Sequence, residues 1–118
     1  MSILENIDSA AWDLKHGRIG GLYPVSNNFT ITENGYASSG YRMFDVYSYT
    51  ARVAVVSQDE SGNCTTYVHY QAFNHSTTTS RHVRRFLSEM VGHIDWDALY
   101  KACRADNAPA LINVREVA

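Results

Sequence analysis

The chain has 118 residues, a length that suits a single domain over 1–118 with a hydrophobic core of its own. Hydrophobic residues make up 45% of the sequence and charged residues 19%, which excludes an intrinsically disordered chain. With 10 basic and 12 acidic residues the formal net charge is −2, and this balance argues against a protein devoted to nucleic-acid binding.

The N-terminal segment is typical of an amphipathic helix. Ser2 and Glu5 stand at the spacing of a capping box, and apolar residues then recur at helical intervals. Gly17 is expected to end the helix, because glycine adopts the left-handed conformation at low cost. The glycine-rich residues 17–40 predict loops around one short strand near 29–32.

The middle of the chain predicts a β-hairpin. Aromatic and β-branched residues dominate at 41–56 and at 64–73, and QDESGN between them predicts a turn. Side chains that pair across a hairpin lie on the same face, so we chose the register that places the apolar residues of both strands together. The predicted inner pairs are Val53–Val68, Ala51–Tyr70 and Tyr49–Ala72, and the predicted outer pairs are Ala54–Tyr67, Arg52–His69 and Thr50–Gln71. A bulge or a strand end near 44–46 would account for the broken alternation upstream.

The last third of the chain predicts two helices. An apolar stripe at i, i+3, i+4 and i+7 indicates a helix over about 80–91, and Gly92 suits its end. Asp95 is expected to cap the last helix, and the tail predicts a short edge strand or a docked extension. The order of elements indicates an α+β fold: an antiparallel sheet with a central hairpin, an N-terminal helix, and two C-terminal helices packed on one face.

A run of hydroxyl side chains followed by basic residues, TTTSRHVRR at 77–85, precedes the apolar stripe. One interpretation is a helix start, where side-chain oxygens accept from the free N–H groups of the first turn. The other is an anion-binding site, in which those N–H groups, hydroxyls and a guanidinium converge on a phosphate or carboxylate. The residues of that candidate site are Thr78, Thr79, Ser80 and Arg81.

Three arginines, Arg81, Arg84 and Arg85, face away from the apolar stripe. They suit contacts with nucleic-acid phosphates, contacts with a protein, or a solvated helix face. His75 and His82 could approach each other across the helix start, but the sequence offers no obvious third ligand for a metal.

Catalytic motifs such as GxSxG and a P-loop are missing from the sequence. Cys64 and Cys103 form neither a CxxC motif nor a zinc spacing, and we expect free thiols. No signal peptide is visible, and no apolar run approaches the roughly 20 residues of a membrane span. We therefore expect a cytoplasmic, non-enzymatic protein that needs no metal or other cofactor.

The predicted register places Arg52, Tyr67 and His69 together on the outer face of the hairpin. Tyrosine and arginine are favoured at protein interfaces, because they offer a large contact area with a polar tip. If no helix covers this face, it is a docking surface for another protein or for a second copy of the chain.

The pairing of VYSYTARVAVV with a later STTTSRHVRRFL resembles small bacteriophage-encoded domains of unknown function. In those domains a YSY-type strand start and an apolar strand precede a TTSRH or TTSKH element that opens a helix. The resemblance covers about residues 45–87. The residues that carry it are Tyr47, Ser48, Tyr49, Thr78, Thr79, Ser80 and His82.

The resemblance implies a phage accessory protein that works in the bacterial host cell by binding a host protein complex. Inhibitors of bacterial defence, such as anti-CRISPR proteins, are one such class, and we extend the expectation to this chain by analogy. The candidate partner-binding residues are Arg52, Tyr67, His69, Arg81, His82, Arg84 and Arg85. The alternative is nucleic-acid or phosphate binding through the basic start of the helix at 80–91.

Overall fold

A computed structural model describes residues 2–36, 40–74 and 76–117. The helices in these ranges are α1 (Ile3–Lys15), α2 (Gln71–Asn74), α3 (Thr77–Val91), α4 (Trp96–Arg104) and α5 (Val114–Val117). The strands in the same ranges are β1 (Leu22–Ser26), β2 (Phe29–Tyr36), β3 (Arg42–Ser48), β4 (Ala51–Gln58), β5 (Cys64–His69) and β6 (Leu111–Asn113). The predicted α+β class is confirmed.

The strands form one antiparallel sheet in chain order, β1-β2-β3-β4-β5-β6. Neighbouring strands along the chain are neighbours in space, as short connections favour. The sequence predicted one strand near 29–32, and the structure has a β1–β2 hairpin there instead. The tail supplies both predicted alternatives, because β6 pairs with β5 at the edge and α5 follows it with Val114 buried.

The predicted strand over 41–56 is two strands. The chain reverses at Tyr49 and Thr50, between β3 and β4, and the backbone N–H of Tyr49 donates to the carbonyl of Asn28 over 2.8 Å. Tyr49 adopts a positive φ of 56°, which a bulky side chain seldom does. Neither residue is a usual turn former, so this reversal has no recognisable turn signal.

The predicted register between β4 and β5 is wrong by one residue. Ala54 pairs with Val68 and Val55 pairs with Tyr67, whereas the prediction paired Val53 with Val68. The predicted strand over 64–73 is also too long, since α2 begins at Gln71. The predicted pairs Ala51–Tyr70 and Tyr49–Ala72 therefore do not form, because Tyr70 and Ala72 lie beyond the end of β5.

The register of β3 with β4 shifts between Val46 and Tyr47, next to the irregularity predicted near 44–46, and the extra residue of the bulge lies in β4. Val46 of β3 pairs with Ala54, whereas Tyr47 pairs with Arg52, which leaves Val53 as the extra residue. A one-residue slip moves side chains to the opposite face, and a bulge shifts the alternation again. The one-residue register slip and the bulge at Val53 each exchange the two faces, so together they leave the face of Arg52 unchanged. Arg52 therefore lies on the same face as Tyr67 and His69, as predicted.

The helices pack on the other face of the sheet, which is called the inner face here. Its strands contribute buried residues that include Phe29, Phe44, Val56 and Val68. The Gln58 side-chain amide donates to the carbonyl of Leu14 in α1 over 3.1 Å. The core therefore lies between one face of the sheet and the layer of α1 and α3.

The predicted helix signals are confirmed at their ends. The Ser2 hydroxyl accepts from the N–H of Glu5 over 3.2 Å, and the Asp95 carboxylate accepts from the N–H of Ala98 over 3.0 Å. Gly92 follows α3 with a φ of 86°, where glycine avoids the strain of a side chain. The described residues include no helix long and apolar enough to cross a membrane.

Candidate protein-binding surface

The sheet face opposite the helices is called the outer face. Its side chains form rows across neighbouring strands: one row contains the pairs Thr32–Asp45, Asp45–Val55 and Val55–Tyr67, and a second contains Thr30–Tyr47 and Tyr47–Arg52. His69 lies two residues beyond Tyr67 on the same side of β5. The outer face is therefore defined by Thr30, Thr32, Asp45, Tyr47, Arg52, Val55, Tyr67 and His69.

Solvent reaches much of this face. Tyr47, Tyr67 and both threonines are half-buried, and the side chain of Arg52 is 41% exposed. A helix packed on this face would bury these side chains, as α1 and α3 do on the inner face. Asp45, Val55 and His69 are buried among their larger neighbours. The result is a tyrosine-lined surface around a buried centre of Asp45, Val55 and His69.

The charges on the outer face balance each other. The guanidinium of Arg52 lies 3.7 Å from the carboxylate of Asp45. Burial lowers the pKa of His69, and the charge of Arg52 lowers it further. The Nδ1 atom of His69 accepts from the N–H of Gln71 over 3.2 Å, which leaves Nε2 to carry the proton of the neutral ring. A near-neutral, hydrogen-bonding face with tyrosines is suited to a protein partner.

The hydroxyl run at 77–80 forms the first turn of α3. The cap is Ser76, whose hydroxyl accepts from the N–H of Thr79 over 3.0 Å. Thr79 is fully buried, and its hydroxyl lies 2.9 Å from that of Ser48 on β3. The Ser80 hydroxyl donates to the carbonyl of Ala72 over 2.8 Å. Two hydroxyls of the predicted anion site are therefore bonded within the protein, and Thr78 and Arg81 remain at the surface.

The α3 arginines are not equivalent. Arg85 donates twice to the carboxylate of Asp8 on α1, over 2.7 and 2.6 Å, and lies 3.8 Å from Glu89. Arg81 and Arg84 are exposed, and no carboxylate of the described chain pairs with them. Neutralisation of Arg85 reduces the positive charge that a phosphate backbone would meet.

His82 is partly buried beside the Phe29 ring, with ring centroids 6.3 Å apart. Burial lowers the pKa of His82, and the charge of Arg81 lowers it further. Since α3 packs on the inner face, the predicted partner-binding residues fall on two sides of the sheet. Arg52, Tyr67 and His69 lie together, and Arg81, His82, Arg84 and Arg85 form a separate surface.

Sequence reasoning missed five members of the outer face: Thr30, Thr32, Asp45, Tyr47 and Val55. Asp45 contributes to the broken alternation near 44–46, and in the structure its carboxylate forms an ion pair with Arg52. Tyr47 becomes a lateral neighbour of Arg52 only because the chain reverses at Tyr49. The signal that could have found Asp45 and Tyr47 was the short alternating run from Met43 to Tyr47, had it been treated as a separate strand.

The remaining candidate groups are the two cysteine thiols and the histidines considered as metal ligands. Cys64 and Cys103 are free, as predicted, and burial raises the pKa of each thiol, which favours the unreactive protonated form. Within the described ranges, no group of three or more potential ligands could hold a metal ion. His75, considered as a ligand beside His82, lies outside the described residues.

Comparison with known proteins gave one family. The model of a family of unknown function (DUF8033) matches residues 18–98, which is more than half of the chain. The matched segment runs from the end of α1 into α4 and so contains β1 to β5 and α3. Searches of curated proteins and of solved structures gave no match.

Proposed function

The chain belongs to this family of unknown function, and we propose from its surfaces that it is a non-enzymatic domain that contacts another protein through the outer face. The observation that carries the proposal is the uncovered sheet face, where Tyr47 pairs with Arg52 and Tyr67 lies in the neighbouring row. Tyrosine and arginine supply much of the binding energy at protein interfaces.

The finer proposal concerns the partner. The resemblance to bacteriophage-encoded domains supports a phage accessory protein that binds a complex of the bacterial host and blocks it, in the manner of anti-CRISPR proteins. A stoichiometric inhibitor needs a docking surface and no turnover, and the solvent-reached outer face supports this proposal. The partner is thus a host protein rather than a second copy of the chain.

The test is capture from a bacterial lysate with and without nuclease, comparing the wild type with the double variant Tyr47→Ser, Tyr67→Ser. We expect one protein complex to be retained after nuclease treatment and to be lost with the double variant. Removing two half-buried tyrosines takes away the largest contact area of the outer face.

The matched control is Trp12→Ser, which removes an exposed aromatic residue from α1 on the helical side of the molecule. It should capture the same complex, and all three proteins should share their thermal unfolding midpoints within a few degrees. Retention by the double variant would contradict the proposal, as would capture of the chain itself. Loss on nuclease treatment would instead favour nucleic-acid binding through Arg81 and Arg84.

A further inference from the structure

A pocket opens between α2 and α4, on the helical side of the sheet and just beyond the end of β5. It has a volume of about 300 Å³ and is lined by Tyr70, Phe73, Asn74, Cys103 and Arg104. The volume is at the lower end of the range of small-ligand pockets and suits one or two side chains. It was not foreseen from the sequence, because α2 was expected to be the end of a strand.

The pocket adjoins the outer face directly. The ring centroid of His69, on the outer face, lies 4.4 Å from the ring centroid of Tyr70, which lines the pocket. Tyr70 itself is 45% exposed. Tyr70 is therefore the residue that joins the outer face to the pocket.

The walls of the pocket are aromatic and rigidly packed. The ring centroid of Phe73 lies 4.5 Å from that of Trp96 and 5.5 Å from that of Tyr100, and both of these residues are on α4. These contacts hold α2 against α4 without filling the space between Tyr70 and Phe73. The wall offers apolar contact to a side chain inserted beside it.

The single charged group of the lining is Arg104. Its Nη1 donates to the hydroxyl of Tyr100 over 2.6 Å, and its guanidinium carbon lies 5.2 Å from the centre of the Tyr100 ring. Tyr100 thus orients the guanidinium and uses one of its five donors. Across the described part of the chain, no carboxylate lies within ion-pair distance of Arg104.

We propose that this pocket binds an acidic side chain of the protein partner, with the carboxylate on Arg104 and a neighbouring apolar group against Tyr70 and Phe73. An oriented guanidinium is the side chain best matched to a carboxylate, since it can donate two parallel hydrogen bonds. The proposal rests on the proposed function, because it supplies an anchor for the partner on the outer face.

The probe is the peptide acetyl-Phe-Glu-amide, and its neutral isostere acetyl-Phe-Gln-amide is the ligand control. Each is titrated into the ¹⁵N-labelled full chain, and amide shifts are followed by NMR. We expect the glutamate peptide to move the amides of Phe73, Asn74, Cys103 and Arg104. The glutamine peptide should bind roughly tenfold more weakly, because a charge-assisted hydrogen bond is lost.

The variant Arg104→Gln should lower the affinity for the glutamate peptide by about tenfold and make the two peptides equivalent. The matched control Arg18→Gln removes the same charge from an exposed arginine that follows α1 and should leave the titration unchanged. Equal binding of both peptides, or an Arg104→Gln variant that binds as well as the wild type, would overturn the proposal. Stronger shifts of the same amides by decathymidylate would also overturn it and would indicate a nucleic acid.

The two proposals fail separately. If the tyrosine double variant abolishes lysate capture but the glutamate peptide does not bind, the pocket assignment is wrong and the docking surface stands. If the peptide binds and the double variant still captures its partner, the proposed function of the outer face is wrong.

Discussion

Ser48 and Thr79 lie 31 residues apart in sequence, yet their side-chain hydroxyl oxygens are 2.9 Å apart in the core. The contact joins the end of β3 to the first turn of α3, and both residues are fully buried. Ser48 belongs to the YSY element and Thr79 to the TTSRH element, the two elements that carry the resemblance to bacteriophage-encoded domains. A structural role therefore accounts for this part of the pattern.

Thr79→Val should lower the free energy of unfolding by about 1–3 kcal/mol, because the buried Ser48 hydroxyl loses its partner. The measurement is equilibrium unfolding in urea. The control Thr78→Val makes the same change at the exposed neighbouring position and should stay within about 0.5 kcal/mol of the wild type. Equal effects at the two positions would contradict the buried hydrogen bond.

The ion pair between Asp8 and Arg85 should make stability depend on acid pH. The hydrogen bonds and the charge of Arg85 lower the pKa of Asp8, so the Asp8 carboxylate takes up a proton less readily in the folded state than in the unfolded state. The contribution is present at neutral pH and is lost as pH falls below about 4 through the folded pKa. The effect is small, because both side chains are partly exposed.

The comparison is between the wild type and Asp8→Asn, unfolded in urea at neutral pH and again below the pKa of the carboxyl. The wild type should be the more stable protein at neutral pH, and the difference should vanish in acid. Asp106→Asn, at an exposed position, should show no such convergence. A difference that stays constant with pH would exclude the ion pair as its source.

His69 and His82 should destabilise the protein as pH falls below about 6.5. Burial lowers the pKa of each, so the unfolded chain takes up protons that the folded protein resists. The stabilising contribution is therefore present above the unfolded pKa and is lost through the folded pKa. Unfolding free energies measured between pH 8 and pH 5 should fall less steeply in His69→Asn and in His82→Gln than in the wild type.

Asn at position 69 keeps an acceptor for the N–H of Gln71, so the variant isolates the titration from the hydrogen bond. His93→Gln changes an exposed histidine and serves as the control. If His93→Gln flattened the pH profile as much as the other two, burial would not be the cause.

Thr66 presents the opposite case to Thr79. Its side chain is 2% exposed on the inner face, and among the described residues its hydroxyl has no hydrogen-bond partner. Thr66→Val should raise the free energy of unfolding by about 1 kcal/mol, because the unpaired hydroxyl is replaced by a methyl group of the same shape. Thr65→Val, at the half-buried neighbouring position, is the control for strand propensity. Destabilisation by Thr66→Val would show that the hydroxyl is hydrogen-bonded.

The helices could be predicted because their signals are local. Ser2 and Asp95 cap by side-chain hydrogen bonds to residues three positions later, and Gly17 and Gly92 end helices with positive φ. The apolar stripe of α3 follows from helical geometry alone. None of these features depends on what the rest of the chain does.

The sheet could not be predicted to the same detail, because pairing depends on distant residues. The reversal at Tyr49 is held by Asn28, a residue in another hairpin, and no glycine or asparagine marks it. The register slip followed from assuming that the alternation in β4 was unbroken, although Val53 is a bulge. The outer face was found with Arg52, Tyr67 and His69, while Asp45 and Tyr47 required the missed strand.

The most direct test of the proposed role of the outer face is site-specific photocrosslinking in bacterial cells that express the protein. Tyr67 is replaced by p-benzoylphenylalanine, and Arg84 is replaced in a parallel variant on the helical side. We predict that illumination joins the variant at position 67 to one host protein and leaves the variant at position 84 without that product. Crosslinking of the same protein from position 84 and not from position 67 would contradict the assignment of the outer face as the protein-binding surface.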